Sequence, residues 1–223
     1  MPINFFHIVG DPNIGVFTLT TDGFLITPPL LSEGKTRRLA TYLGVKTYVR
    51  TRLYGSKLLG ILSAANSHGI VVPELVSEDE AELLRRALKV NVYTVSSKWT
   101  ALGNAVLVND SGGVVDHRMS EVTVKALEDA LKVELRRGTV AELPYVGALG
   151  VATNRGALVH PGVGVEERKS LEEALKVPVY TGTVNGGTPY IKAGLLANSQ
   201  GVVVGSSTTG LELANISHAF EET

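Results

Sequence analysis

Short apolar runs and polar turns alternate along the chain at a fixed spacing. A polar turn that ends in glycine precedes a small apolar strand each time, as in N-S-H-G-I-V-V-P at 66–73 and N-R-G-A-L-V-H-P at 154–161. The turn glycines are Gly23, Gly69, Gly112, Gly156 and Gly201, and they step by 46, 43, 44 and 45 residues. A recurring Leu-X-Val tripeptide, which begins at 43, 88, 131 and 175, steps by 45, 43 and 44 residues. Two unrelated signals with one period predict five repeats of about 44 residues.

Within each repeat the pattern predicts strand, tight turn, strand, helix and strand. The second repeat has an apolar run over 58–65, a return strand over 70–72 and an alternating strand over 90–95. Ser77 and Glu80 form a capping-box pattern before an amphipathic helix, and Thr209 with Glu212 form another. The other helices are predicted over 32–42, 120–131 and 165–175.

The fifth repeat ends after its helix and supplies no closing strand. The segment 3–9 has strand composition and precedes the turn of the first repeat. We therefore predict that this N-terminal strand pairs with the last repeat and closes a ring of sheets, which leaves few exposed edges. The predicted fold class is α/β, as a single domain over 1–223. Its repeats are 10–57, 58–100, 101–146, 147–191 and 192–223 plus strand 1–9.

A second set of glycines precedes the first strand of each repeat. Its members are Gly15, Gly60, Gly103, Gly147 or Gly150, and Gly194. Backbones converge around a pseudo-symmetry axis, and glycine permits their close approach. Asn104 follows Gly103 where other repeats offer Val16, Ile61 and Leu195, so it is either an interface contact or a residue that hydrogen-bonds within its loop.

Composition excludes several classes of function. The 44% hydrophobic content suffices for a sizeable core, and the absence of cysteine removes disulfides, thiolate metal sites and cysteine nucleophiles. A net charge of −1 argues against binding dominated by nucleic-acid phosphate, so we expect a protein surface to supply much of any contact with a nucleoprotein particle. No apolar run reaches the length of a membrane helix. We expect a monomer in the cytoplasm.

Candidate chemistry is sparse. The five histidines occupy no equivalent repeat position and have no helical metal-ligand spacing, so no metal site is expected. The glycine-rich segment 182–187 lacks the lysine of a phosphate-binding loop. Basic residues near the ends of the closing strands are either solvated charge or one basic edge able to contact phosphate, as in RNA. They are Arg50, Arg52, Lys98, Arg136 and Arg137.

Four stretches in their order resemble the translation initiation factor 6 family in its archaeal form: A-L-G-N at 101–104, A-L-K-V at 130–133, N-R-G-A-L-V-H-P at 154–161 and G-T-V-N at 182–185. The resemblance covers the whole chain. It implies the pentein fold, a five-bladed α/β propeller around a pseudo-fivefold axis. It also implies large-subunit biogenesis and ribosome anti-association, in which the factor binds the intersubunit face of the large ribosomal subunit and blocks joining of the small subunit. The family implies no enzymatic activity and no cofactor.

The resemblance further implies a docking surface on a large-subunit ribosomal protein near the sarcin-ricin loop, with limited RNA contact. The matching positions are Gly60, Ile61, Gly103, Asn104, Pro189 and Tyr190. Ile61 departs from eukaryotic relatives, which can carry a basic residue there. The alternative is a pentein-type enzyme that modifies guanidinium groups. Such enzymes attack with a cysteine, and this sequence contains none.

Overall fold

The computed structural model describes residues 2–221, so residues 1, 222 and 223 of the predicted bounds lie outside the described residues. The chain begins with β1 (Ile3–Phe6). The first unit then contains α1 (Ile14–Phe17), β2 (Leu19–Thr20), β3 (Phe24–Thr27), α2 (Glu33–Tyr42) and β4 (Thr47–Arg50). The second contains α3 (Leu59–Leu62), β5 (Ala64–Ala65), β6 (Gly69–Pro73), α4 (Glu78–Leu88) and β7 (Asn91–Val95).

The remaining units repeat this order. The third contains α5 (Leu102–Ala105), β8 (Val106–Val108), β9 (Gly113–Asp116), α6 (Glu121–Leu131) and β10 (Leu135–Gly138). The fourth contains β11 (Gly150–Ala152), β12 (Ala157–Val159), α7 (Val165–Leu175) and β13 (Val179–Thr181). The fifth contains α8 (Ile191–Gly194), β14 (Leu195–Ala197), β15 (Val202–Gly205) and α9 (Gly210–Phe220).

Each unit builds a small mixed sheet of three strands. The middle strand pairs antiparallel with the first strand and parallel with the third. In the first four units the long helix connects the middle strand to the third strand. The fifth sheet takes its third strand from the other end of the chain. There β1 pairs in parallel with β15, with Ile3 opposite Val202 and Phe6 opposite Gly205. The prediction that the N-terminal segment pairs with the last unit is confirmed.

Each long helix packs against a sheet of a neighbouring unit. The helix α4, for example, packs against β7 of its own unit and β4 of the preceding one, and α9 packs against β12 and β13 of the preceding unit. Leu84 and Leu88 of α4 share a buried cluster with Phe24 and Leu53 of the first unit. The first strands β2, β5, β8, β11 and β14 contact one another in that order, and β14 also contacts β2. The core is therefore continuous from unit to unit.

Buried asparagines hold neighbouring units together. The side-chain amide of Asn109 donates to the carbonyls of Thr153 and Leu175 in the next unit, both at 2.9 Å. Asn66 makes the same pair of bonds into the third unit, and Asn198 makes it from the fifth unit into the first. These are three of the turn residues that mark the repeat, so one position sets both the local turn and the junction.

The fourth turn has a different register from the one that the sequence phrase suggests. Thr153, not Asn154, occupies the junction position, and its hydroxyl bonds within its own turn, to the backbone of Arg155 and Gly156. Asn154 is exposed and donates to Asp22 and Asp110 of other units.

The apolar run 58–65 is not one strand, as the pattern predicted. It divides into the single helical turn α3 and the two-residue strand β5. The same division occurs at α1, α5 and α8. A short apolar run cannot separate strand from buried helix, because both produce continuous hydrophobicity. The predicted capping boxes of α4 and α9 are confirmed.

Candidate functional site

The short helices gather on one face of the molecule and surround a concave surface. The turn at 146–148 takes the corresponding place in the fourth unit. This surface encloses about 320 Å³, and we call it the dish. It is lined by Gly15, Val16, Ile61, Asn104, Tyr145, Ala148, Tyr190, Lys192 and Ala193. Three of the six sequence-predicted docking residues thus lie in one depression.

Glycines allow the short helices to approach one another. A Cβ atom on Gly60 would overlap the carbonyl of Gly15, and one on Gly103 would overlap the carbonyl of Gly60. Gly147 similarly faces the carbonyl of Gly103. The predicted close approach is confirmed at these positions. Gly60 and Gly103 are buried and line no part of the dish, so they shape it from beneath. Pro189 is partly exposed and precedes the dish residue Tyr190.

In the fifth unit the glycine position holds Lys192, not the predicted Gly194. The helix α8 reads I-K-A-G, where α1 reads I-G-V-F and α3 reads L-G-I-L. The residue equivalent to Asn104 is consequently Ala193, and the assignment of Leu195 to that position was wrong. The prediction was wrong because a glycine, Gly194, follows Lys192 by two residues.

Lys192 lies between the dish and a second cavity at the centre of the molecule. This central cavity encloses about 70 Å³ and is lined by the first strands of all five units. The ammonium of Lys192 donates to the carbonyl of Gly103 in the third unit at 2.7 Å. Desolvation lowers the pKa of Lys192 to about 7, although part of the residue reaches solvent at the dish.

Asn104 has an unengaged side chain. Its backbone N–H donates to Ala101, and its carbonyl accepts from Gly147 at 2.9 Å and Ala148 at 3.3 Å. Its carboxamide, in contrast, bonds to none of residues 2–221. The residue is partly exposed at the dish, so the amide is available to a partner. Of the two interpretations drawn from the sequence, this arrangement favours an interface contact over a loop hydrogen bond.

Two tyrosines form the rim of the dish. Tyr190 is 51% exposed and Tyr145 is 49% exposed. Tyr145 was missed from the sequence, although it stands two residues before Gly147 just as Tyr190 stands two before Lys192. That shared offset was the available signal. Large exposed aromatic rings beside an unengaged amide are typical of protein interfaces.

An arginine holds Tyr145 in place. The guanidinium carbon of Arg118 lies 5.6 Å from the centre of the Tyr145 ring and 5.5 Å from that of Trp99. The buried carboxylate of Asp116 accepts from Arg118 at 2.9 and 2.6 Å. Burial acts to raise the pKa of Asp116, but the bonds from Arg118 outweigh it and lower the pKa. Asp116 therefore stays charged and orients this side of the rim.

The predicted basic edge is distributed over three units. Arg50 bonds to Glu33 and the carbonyl of Pro29, and Arg136 pairs with Glu134 and Glu173. The other three, which are Arg52, Lys98 and Arg137, are exposed. The ammonium of Lys98 lies 5.7 Å from the centre of the Trp99 ring. No bond joins the five basic residues to one another within the described part of the chain.

Other classes of site have no counterpart between residues 2 and 221. No group of three histidine, aspartate or glutamate side chains is placed to hold a metal ion there. In the same range, no helix combines the length and apolarity needed to cross a membrane.

A model of the eIF-6 family matches residues 3–219. The chain belongs to the eIF-6 family. It is 40% identical over 220 residues to the translation initiation factor 6 of Methanocaldococcus jannaschii, with 96% of each chain covered. It is 39% identical to that of Pyrococcus abyssi, with 94% of each chain covered. The protein of the same name from Staphylothermus marinus is 35% identical over 212 residues, which cover 94% of this chain and 93% of the relative. The dish of this eIF-6 family member thus lies in the part of the chain that these relatives share.

Proposed function

We propose that this member of the eIF-6 family is a ribosome anti-association factor that also takes part in large-subunit biogenesis. It binds the intersubunit face of the large ribosomal subunit and prevents the small subunit from joining. The observation that carries the proposal is the dish, where Ile61, Asn104 and Tyr190 lie together on one face. Relatives that carry the name translation initiation factor 6 supply the ribosomal context.

The proposed architecture is a single pentein domain over 1–223, a five-bladed α/β propeller closed by β1. Five equivalent sheets, the pairing of β1 with β15 and the contact of β14 with β2 support this arrangement. Such a closed arrangement has little freedom to deform. A body of this kind blocks subunit joining by the space that it occupies.

The proposed partner of the dish is a protein surface near the sarcin-ricin loop. The lining residues other than Lys192 are uncharged, and that lysine is largely desolvated. Apolar and aromatic contacts around one amide suit a protein partner better than a phosphate backbone. Contact with ribosomal RNA is then limited to exposed basic residues such as Arg52 and Arg137.

No enzymatic step and no cofactor belong to this proposal. The pentein enzymes that modify guanidinium groups need a cysteine nucleophile, and the sequence has none. We expect the factor to act as a monomer in the cytoplasm. Light scattering on the purified protein tests the monomer directly.

Co-sedimentation with purified large and small subunits tests the docking surface. We expect Asn104→Ala combined with Tyr190→Ala to weaken large-subunit binding by about 2–4 kcal/mol, the range of interface hot spots. Tyr54→Ala is the matched control, because Tyr54 is 59% exposed and lies outside the dish. Its binding should equal that of the unaltered chain. Full co-sedimentation of the double variant, with an unchanged melting temperature, would remove the dish from the interface.

A further inference from the structure

A basic groove lies between β1 and α2. It encloses about 90 Å³ and is lined by Phe5, Phe6, His7, Lys35, Arg38 and Ser206. No acidic residue lines it, and it shares no residue with the dish. His7, Lys35 and Arg38 are exposed, and Phe5 is 46% exposed, which is unusual for a phenylalanine on an edge strand. The groove therefore combines positive charge with an open aromatic face.

The helix beside the groove differs in charge from its equivalents. Among the five long helices within residues 2–221, α2 is the one with a basic excess, since it carries Lys35, Arg37 and Arg38 against Glu33. The helices α4, α6 and α7 carry more acidic than basic residues, and α9 has neither lysine nor arginine. The five units share one architecture, so the repeat itself does not require this excess of basic residues on α2.

Lys35 also reverses a charge that the repeat uses elsewhere. It stands at the third helical position, where α4, α7 and α9 carry Glu80, Glu167 and Glu212. Each of those carboxylates accepts N–H bonds from the turn that precedes its unit. In the first unit a cation stands at this position in place of the anion, so the start of α2 adds positive charge to the groove.

The two cations of the groove are not neutralised. Within the described residues, neither Lys35 nor Arg38 pairs with a carboxylate. The guanidinium carbon of Arg38 lies 5.6 Å from the centre of the Phe6 ring and 5.5 Å from that of Tyr42. This stacking restrains the guanidinium while its N–H groups keep no acidic partner. A restrained arginine loses less conformational entropy when it binds a phosphate.

We propose that this groove binds a single strand of RNA. Lys35 and Arg38 contact successive phosphates, and an unpaired base stacks on the exposed ring of Phe5. A single strand fits better than a duplex, because the bases of a duplex are not free to stack on a side chain. The net charge of −1 keeps this binding weak and confined to the groove. The inference is independent of ribosome docking, since none of its residues lies in the dish.

Fluorescence anisotropy with a labelled oligouridylate of about 12 nucleotides tests the groove at low salt. We expect Lys35→Glu combined with Arg38→Glu to lower the affinity by at least about tenfold and to reduce the salt dependence. Phe5→Ala should lower it about fivefold at every salt concentration, because stacking is not screened by ions. Lys125→Glu combined with Lys169→Glu makes the same charge change on α6 and α7, and it should change the affinity by less than about twofold.

Three outcomes would overturn the proposal. They are no binding by the unaltered protein at low salt, an equal loss of affinity in the α6 and α7 control, and equal or tighter binding of a polyglutamate peptide or an RNA duplex. Lys35→Gln combined with Arg38→Gln is measured in parallel, because the double charge reversal could alter folding. We expect this neutral variant to lose affinity for the oligouridylate as well, but by a smaller factor. None of these measurements uses ribosomal subunits, so failure of the proposed function and failure of the groove are distinguishable.

Discussion

Lys192 occupies the position at which the other four units have a glycine. Its side chain lines both the dish and the central cavity, and its ammonium donates to the carbonyl of Gly103 across the molecule. The cost is desolvation, which lowers its pKa from 10.5 to about 7. Between these two pH values the unfolded chain holds a proton that the folded chain has released. The free energy of unfolding therefore rises as the pH increases across this window.

Replacing this lysine with an uncharged residue of similar shape removes that cost. We expect Lys192→Met to stabilise the protein by about 1–2 kcal/mol near pH 6, less than the pKa shift alone implies because the residue is partly exposed and its ammonium is hydrogen-bonded. The gain should shrink as the pH approaches 10. Urea unfolding at a series of pH values measures it, with the exposed Lys169→Met as a control that should show no such trend. A gain that is equal at all pH values would contradict the assigned cause.

Some of the other residues at the dish could be predicted from the sequence, and some could not. Asn104 and Tyr190 could be predicted because a resemblance pointed to them, and Gly60 and Gly103 because their spacing repeats. Tyr145 and Lys192 could not, since each depends on the exact register of an apolar segment and not on its period. A shift of two residues in that register exchanged Lys192 for Gly194 and Ala193 for Leu195.

At the scale of elements, residues at the N-termini of the long helices form hydrogen bonds between units. Glu212 accepts from the N–H groups of Thr209, Gly186 and Gly187 and from the hydroxyl of Thr183. Burial acts to raise the pKa of Glu212, but these bonds outweigh it and lower the pKa to about 2. Because the folded-state pKa is depressed, the carboxylate contributes stability above pH 4.5 that is lost as the pH falls toward 2.

Glu212→Gln should therefore cost about 2–3 kcal/mol at pH 7, since a neutral amide accepts these bonds weakly and brings N–H groups of its own. The difference from the unaltered chain should decrease below pH 4.5. Urea unfolding between pH 3 and pH 7 measures both effects. Glu173→Gln, on the exposed face of α7, is the control and should change stability by less than about 0.5 kcal/mol. A pH-independent cost would mean that lost packing, and not charge, is responsible.

The long elements could be predicted well from the sequence, and the short ones could not. The helices α2, α4, α6 and α7 begin within a residue or so of the predicted positions, and a serine cap marks the start of the first three. The four-residue helices were predicted as strand. The repeated glycines, such as Gly60, indicated the close approach of neighbouring units but not the helical conformation of these segments.

At the scale of the whole molecule, the two ends of the chain share one sheet. The strand β1 buries Phe6 against the core, and Ile8 follows it into the same cluster. Deleting residues 1–9 should destabilise the protein by at least about 4 kcal/mol, because it removes these two side chains and a complete strand pairing. Thermal unfolding measures the change. Phe6→Ala alone should cost about 3–5 kcal/mol as a second variant. An unchanged melting temperature for the deletion would contradict the role of β1 in completing the fifth sheet.

A subunit-joining assay tests the central claim most directly. Purified large and small subunits are mixed with increasing amounts of the protein, and the joined ribosomes are separated by sucrose-gradient sedimentation. We predict that joined ribosomes decrease in proportion to the added protein, that the protein sediments with the large subunit alone, and that Asn104→Ala with Tyr190→Ala restores joining. Undiminished joining while the protein remains bound to the large subunit would contradict the account.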